Sequence, residues 1–173
     1  MVITLINNAR TYAQNASASS AKLHTSSFFI KGEGNRAKIL KSFLEKYSSP
    51  LASYANAFVK NADDYRLDWR LVAAISGVES SFGKHIPYNS YNGWGWGVYG
   101  NNVIYFSSWE EGIETVSEGL RINYINKWRA ENVYEIGGIY AADPRWASNV
   151  NYFVEKISEL QYQKQIENLS ISL

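Results

Sequence analysis

The stretch DWRLVAAISGVESSFG, residues 68–83, decides how the chain is read. Its apolar positions recur at spacings of three and four, which predicts a helix from Trp69 to about Ser80 with Asp68 as its cap. At ~100° per residue, Val72, Ile75 and Glu79 follow one path along that helix, with Leu71, Val78 and Phe82 to one side. Glu79 therefore falls inside the apolar stripe. A carboxylate placed there loses water, and that loss raises its pKa because the charged form is the one penalised. Helical phase alone leaves two readings open. A glutamate in a last turn can swing to solvent or bond the backbone of the next loop. A glutamic acid that keeps its proton near neutrality can instead act as a general acid.

The residues after the acid bear on that choice. Ser80, Ser81 and Gly83 keep the space beside it small. Six of the twelve glycines lie between Gly77 and Gly100, interleaved with Tyr88, Tyr91, Trp94, Trp96 and Tyr99. A segment this rich in glycine is not core by default, and long ordered excursions usually carry function. Tyr91, Trp94, Trp96 and Tyr99 are thus candidate walls of a cleft that stacks sugars, with core packing an equal reading for each tryptophan. Val103 to Phe106 is a short β-prone run, so the excursion over 83–106 is read as a small irregular hairpin.

Outward from this segment the pattern is helical almost throughout. Ile39, Leu40, Phe43, Leu44 and Tyr47 mark an amphipathic helix. Ser49 and Pro50 read as N-cap and first residue of the next, with Leu51, Tyr54, Ala55, Phe58, Val59 and Ala62 on one face. Ser108-Trp-Glu-Glu111 is a capping box that opens a long helix, with Ile113, Val116, Leu120 and Tyr124 inward. A shorter helix covers Val133 to Tyr140. Asp143-Pro144 starts the last, on which Trp146, Val150, Phe153, Ile157 and Leu160 keep the helical spacing. The expected fold is mostly α, one helical domain over 36–163, preceded by an arm or linker over 1–35 and followed by a tail over 164–173.

Composition narrows the partners. The chain has 173 residues, enough for one domain with a real core, and a net charge of +1. That charge gives no pull toward nucleic acid or an anionic membrane. The aromatic share of 15% is high, and near-neutral charge favours sugars over bases as its flat ligands. The absence of cysteine removes disulfides, thiolate metal sites and thiol nucleophiles. No apolar run approaches the ~18 residues of a membrane span. His24 and His85 are far apart, no spacing suggests a zinc or calcium site, and no Gly-x-Ser-x-Gly elbow occurs. Neither a metal nor a cofactor is expected.

Three segments, taken together, resemble a known family. AAISGVESSFGKH, residues 73–85, places an acid at a helix end in a V-E-S-S-F-G context. NGWGWGVYGNNVIYFSSWEEGIETVSEGL, residues 92–120, has an N-x-(F/W)-G turn before an S-(F/W)-E-E-G helix start. GGIYAADPRWASNVNYFVEKI, residues 137–157, contains Tyr-Ala-x-Asp-Pro-x-(aromatic)-Ala. In this order they resemble the lysozyme-like superfamily of bacterial peptidoglycan hydrolases. The second and third segments are most similar to its endo-β-N-acetylglucosaminidase branch, and the E-S-S-F element is shared with soluble lytic transglycosylases. Where transglycosylases carry a Gly-Leu-Met-Gln-like segment this chain has Gly93-Trp-Gly-Trp-Gly97, a departure from that branch.

The resemblance implies a lysozyme-like fold and cleavage of a β-1,4 bond in a GlcNAc/MurNAc glycan, with Glu79 as the acid. It implies that Tyr140 lines the cleft and puts Asp143 in the family's Asp-Pro position, although an N-cap role also explains that residue. Lytic transglycosylase or muramidase chemistry with the same acid, an enzyme for a related GlcNAc-containing polysaccharide such as chitin, and a non-catalytic module that binds cell-wall glycan are the alternatives. A second carboxylate is not evident, since Glu110 and Glu111 belong to the capping box. Glu33, in a Gly-Glu-Gly loop, is a secondary candidate without a supporting motif. The expectation is then one protein acid, assisted by the substrate's own N-acetyl group or by an intramolecular attack that yields an anhydro-sugar. Such an enzyme is expected to act as a monomer outside the cell, at the wall or in the periplasm, its export signal or anchor not evident in this chain.

Overall fold

The computed structural model describes residues 34–97 and 103–170. Six helices follow in order: α1 (residues 34–46), α2 (Ala55–Asp64), α3 (Leu71–Ser80), α4 (Trp109–Gly119), α5 (Val133–Tyr140) and α6 (Trp146–Ser170). A 3₁₀ segment, Pro50–Tyr54, leads into α2, and a π-helical segment, Leu120–Asn126, continues α4. The mostly helical class expected from the sequence is what the chain adopts. No strand occurs among the described residues.

Helix α3 forms the centre. Leu71 to Gly77 are buried on every side, the pattern of a core helix rather than a surface one. It packs along α6, while α2 lies against α4 and α5 against α6. Burying Leu71, Val72 and Ile75 contributes roughly 1.5–3 kcal/mol each. The start differs from expectation. Asp68 Oδ1 accepts from Arg70 N at 2.9 Å and from Arg70 Nε at 2.8 Å, so its carboxylate is held by its own neighbour. The helix begins after that turn, at Leu71, with Arg70 at the N-cap and no side chain capping it.

The end of α3 is the feature that shapes the site. Ser81, Phe82 and Gly83 follow with φ of 51°, 62° and 80°, three left-handed residues in a row. For the two that are not glycine this costs on the order of 1 kcal/mol each. Phe82 N donates back to Ser76 O at 2.9 Å, and the Phe82 ring folds under the helix. A Cβ on Gly77 would lie 2.6 Å from that ring, so only glycine lets Phe82 seat there. The ring is 1% exposed and meets Phe43, Tyr47 and Phe153 at centroid distances of 5.7, 4.5 and 4.9 Å. Its burial and these contacts offset the backbone cost.

Most expected helix faces are present. Ser49 Oγ accepts from Leu51 N at 3.0 Å, as an N-cap should, and donates to Phe82 O at 2.7 Å. Ile113, Val116 and Leu120 are fully buried along α4 and its continuation. The capping box is altered: Ser108 Oγ accepts from Glu111 N, but Glu111 turns to the N–H of Ser107 at 2.6 Å. Residues 164–170, expected as a tail, extend α6 to Ser170.

The expected hairpin is absent from the described part of 83–106. A buried side chain does the work of a strand partner there. Asn92 Nδ2 donates to Trp96 O at 2.9 Å and to Ile104 O at 3.1 Å, while its Oδ1 accepts from Trp96 N at 2.9 Å. Phe106 N donates to Ser90 O at 2.9 Å. These bonds close the loop without a ladder, and leave Val103 to Phe106 as irregular chain.

Candidate active site

Glu79 occupies the last turn of α3, and its side chain is exposed rather than buried in the apolar stripe. The helix stops one residue later, so no following turn covers the carboxylate. Two neighbours nevertheless hold it. Trp146 Nε1–H donates to Glu79 Oε1 at 2.6 Å. On the other side a Cβ built on Gly95 would lie 3.4 Å from Oε2, and Gly95 has a φ of +60° that favours glycine. The protein around the carboxylate thins its water and raises its pKa, and the bond from Trp146 opposes that rise. No charge among the described residues contributes to the shift.

The indole is itself fixed. Trp146 is 4% exposed and stacks on Tyr140 at 4.7 Å and 22° between planes. It rests on α5 at Gly137, where a Cβ would come within 3.0 Å of the Trp146 ring. Tyr140 O–H donates to Trp94 O at 2.7 Å. Burial first, and then the Glu79 charge, push the Tyr140 pKa well above that of a free phenol, so it stays protonated and donating. Trp96 lies 6.1 Å from both Tyr140 and Tyr124. Glu79, Gly95, Trp96, Tyr140 and Trp146 thus form one contiguous group, with Oε2 on the side of the exposed Gly95.

The loop is pinned to this group from several directions. Ser80 Oγ, beside the acid in sequence, donates to Gly93 O at 2.7 Å and accepts from Gly83 N at 2.8 Å. Trp94 Nε1 donates to Val72 O at 2.8 Å, inside the core. Helix α4 receives both tryptophans at glycines two turns apart. A Cβ on Gly112 would come within 2.7 Å of Trp94, and one on Gly119 within 2.2 Å of Trp96.

Several candidates are corrected by this geometry. Trp94 is 0% exposed, so it is a core ring with no face open to a ligand. Tyr91 is half-buried and packs edge-on to Trp109 at 5.6 Å. Asp143 pairs with Arg145, Oδ2 to Nη2 at 3.0 Å, and those bonds lower its pKa. Its carbonyl accepts from Trp146 N at 3.0 Å, so it belongs to the turn that starts α6. Glu33 and Tyr99 lie outside the described residues. Trp146 was read from the sequence only as one of the inward positions of the last helix. The signal for more was its place as the aromatic after Asp143-Pro144.

Among the described residues no group of three or more His, Asp or Glu is placed to hold a metal. None of the described helices is long and apolar enough to cross a membrane. No protein-family model matches the chain, and no curated protein matches it. The arrangement suits proton donation. An indole N–H is a donor only, so Oε1 acts as acceptor, and in the protonated form of Glu79 the proton sits on Oε2.

Proposed function

We propose that the chain is a glycoside hydrolase of the GlcNAc/MurNAc glycan of peptidoglycan, of the N-acetylglucosaminidase type, with Glu79 as general acid. One observation carries this reading. Glu79 has one oxygen fixed by Trp146, the other open beside Gly95, and a raised pKa. A carboxylic acid whose pKa is raised and whose proton, when bound, sits on one known oxygen has the form that protonation of a glycosidic oxygen requires. The resemblance of residues 73–85, 92–120 and 137–157 to the lysozyme-like superfamily supplies the substrate class.

In the proposed step the Oε2–H proton passes to the bridging oxygen as the C1–O bond breaks. Among the described residues no second carboxylate shifts the Glu79 pKa, which favours a reaction needing one protein acid. The substrate's own N-acetyl oxygen then attacks C1, and water opens the resulting ring in a second step with Glu79 as base. The Glu79 charge acts on Tyr140 and Trp96 lies 6.1 Å from that ring, so the proposed sugar path runs along these two side chains. With Trp94 fully buried, that ring offers no stacking face to a bound glycan.

Digestion of purified cell walls, with mass spectrometry of the new sugar ends, tests this reading. Reducing-end GlcNAc is the expected product. Reducing-end MurNAc would make the enzyme a muramidase, and 1,6-anhydroMurNAc a transglycosylase. Binding without cleavage would reject catalysis.

A further inference from the structure

A cavity of about 560 Å³ opens at the opposite end of α3 from Glu79. Leu71, which lines it, precedes Glu79 by eight residues, about 12 Å of helix, so this is not the cleft of the acid. Its size falls within the roughly 300–1,000 Å³ typical of small-ligand sites. Leu71, Ile125, Ile136 and Val154 give it an apolar floor, and Arg66, Arg70 and Arg121 line it with Asp68 and Glu131.

The charges do not cancel. Arg70 is paired with Asp68 and also donates to Ser158 Oγ. Arg121 donates from Nε to Tyr65 O at 2.6 Å and from Nη2 to Arg66 O, and carbonyls leave its charge uncompensated. The Arg66 guanidinium has no hydrogen-bond or ion-pair partner among the described residues. Against these two cations stands one carboxylate, Glu131. Arg66 also has a φ of 53°, just past the end of α2, where glycine is the usual residue. That conformation is held by Leu67 N donating to Ala62 O at 2.8 Å and by Arg121 on the two carbonyls.

We infer that this cavity binds a small monoanion, a carboxylate carried on an apolar body. Arg66 and Arg121 take the carboxylate, whose planar geometry guanidinium groups match, and the apolar floor takes the body. A surplus of one positive charge suits a monoanion. Inorganic phosphate would leave the floor unused.

The test is an NMR titration of the full chain with N-acetyl-leucine, N-acetyl-leucinamide and inorganic phosphate. N-acetyl-leucine is expected to shift the amides of Leu71, Arg121 and Val133 saturably. Arg66→Gln, an exposed change that keeps the fold, is expected to weaken that binding about tenfold. Glu79→Gln is expected to leave it unchanged, which separates this site from the proposed catalytic one. The inference is overturned by any of four results: no saturable shift, equal binding of the amide, equal binding of phosphate, or no loss in Arg66→Gln.

Discussion

Trp146 Nε1 lies 2.6 Å from Glu79 Oε1, joining the first turn of α6 to the last turn of α3. The bond favours the ionised carboxylate and so lowers a pKa that lost solvent has raised. Trp146→Phe keeps the ring and removes the N–H. The Glu79 pKa should then rise further. Because the acid must be protonated to work, the basic limb of the kcat–pH profile should move to higher pH. A carbon-detected titration of the Glu79 carboxyl checks the same shift without activity. An unchanged pKa would mean that the indole only packs.

The raised pKa of Glu79 also makes stability depend on pH. A carboxyl whose folded pKa exceeds its unfolded value favours folding when protonated, below the unfolded pKa. That contribution is lost as pH rises through the folded pKa. Glu79→Gln carries no charge and can still accept from Trp146. Its Tm should exceed that of the wild type near pH 7, and the gap should close below about pH 4. Thermal melts of both proteins across that range provide the check.

Two glycines should respond to alanine with opposite signs. At Gly119 a Cβ would lie 2.2 Å from Trp96, so overpacking of about 1–3 kcal/mol outweighs the helix-propensity gain. At Gly138 in α5 nothing lies within 4 Å, and alanine should stabilise by about 0.5–1 kcal/mol. Urea unfolding measures both. Indole fluorescence should change only for Gly119→Ala, as Trp96 is displaced.

Asn92 is 4% exposed and ties the loop through its side chain to Trp96 and Ile104. Asn92→Ala removes three side-chain bonds to the partly buried backbone of Trp96 and Ile104 and should cost about 1–3 kcal/mol. Hydrogen exchange of the Trp96 amide should rise sharply, since its acceptor is Asn92 Oδ1. Asp143→Asn should retain activity, because that carboxylate serves the turn at Arg145 and not the acid.

Much of this organisation was legible in the residues. Val133–Tyr140 is helical over the expected span, and Ser49 caps where its proline neighbour implied. Glu79 stands at the end of its helix as periodicity required. What periodicity could not give was its exposure, which depends on three left-handed residues ending α3 beside it. Nor could it tell a core tryptophan from a cleft tryptophan. The glycines that receive Trp94 and Trp96 sit in another helix, and nothing in the W-G-W-G run points to them. Trp146 was invisible as a partner because it lies 67 residues from Glu79, and helical spacing orders only near neighbours. Among the described residues of 83–106 no strand pairs, and Asn92 supplies bonds between Trp96 and Ile104 instead.

The most direct measurement is the release of new reducing ends from purified cell walls by wild type and by Glu79→Gln, with both shown to be folded. The expected result is release by the wild type and a loss of at least 10²-fold in the variant, the scale of a general acid's contribution. Equal release by the two proteins would contradict the account, because the proton would then come from elsewhere.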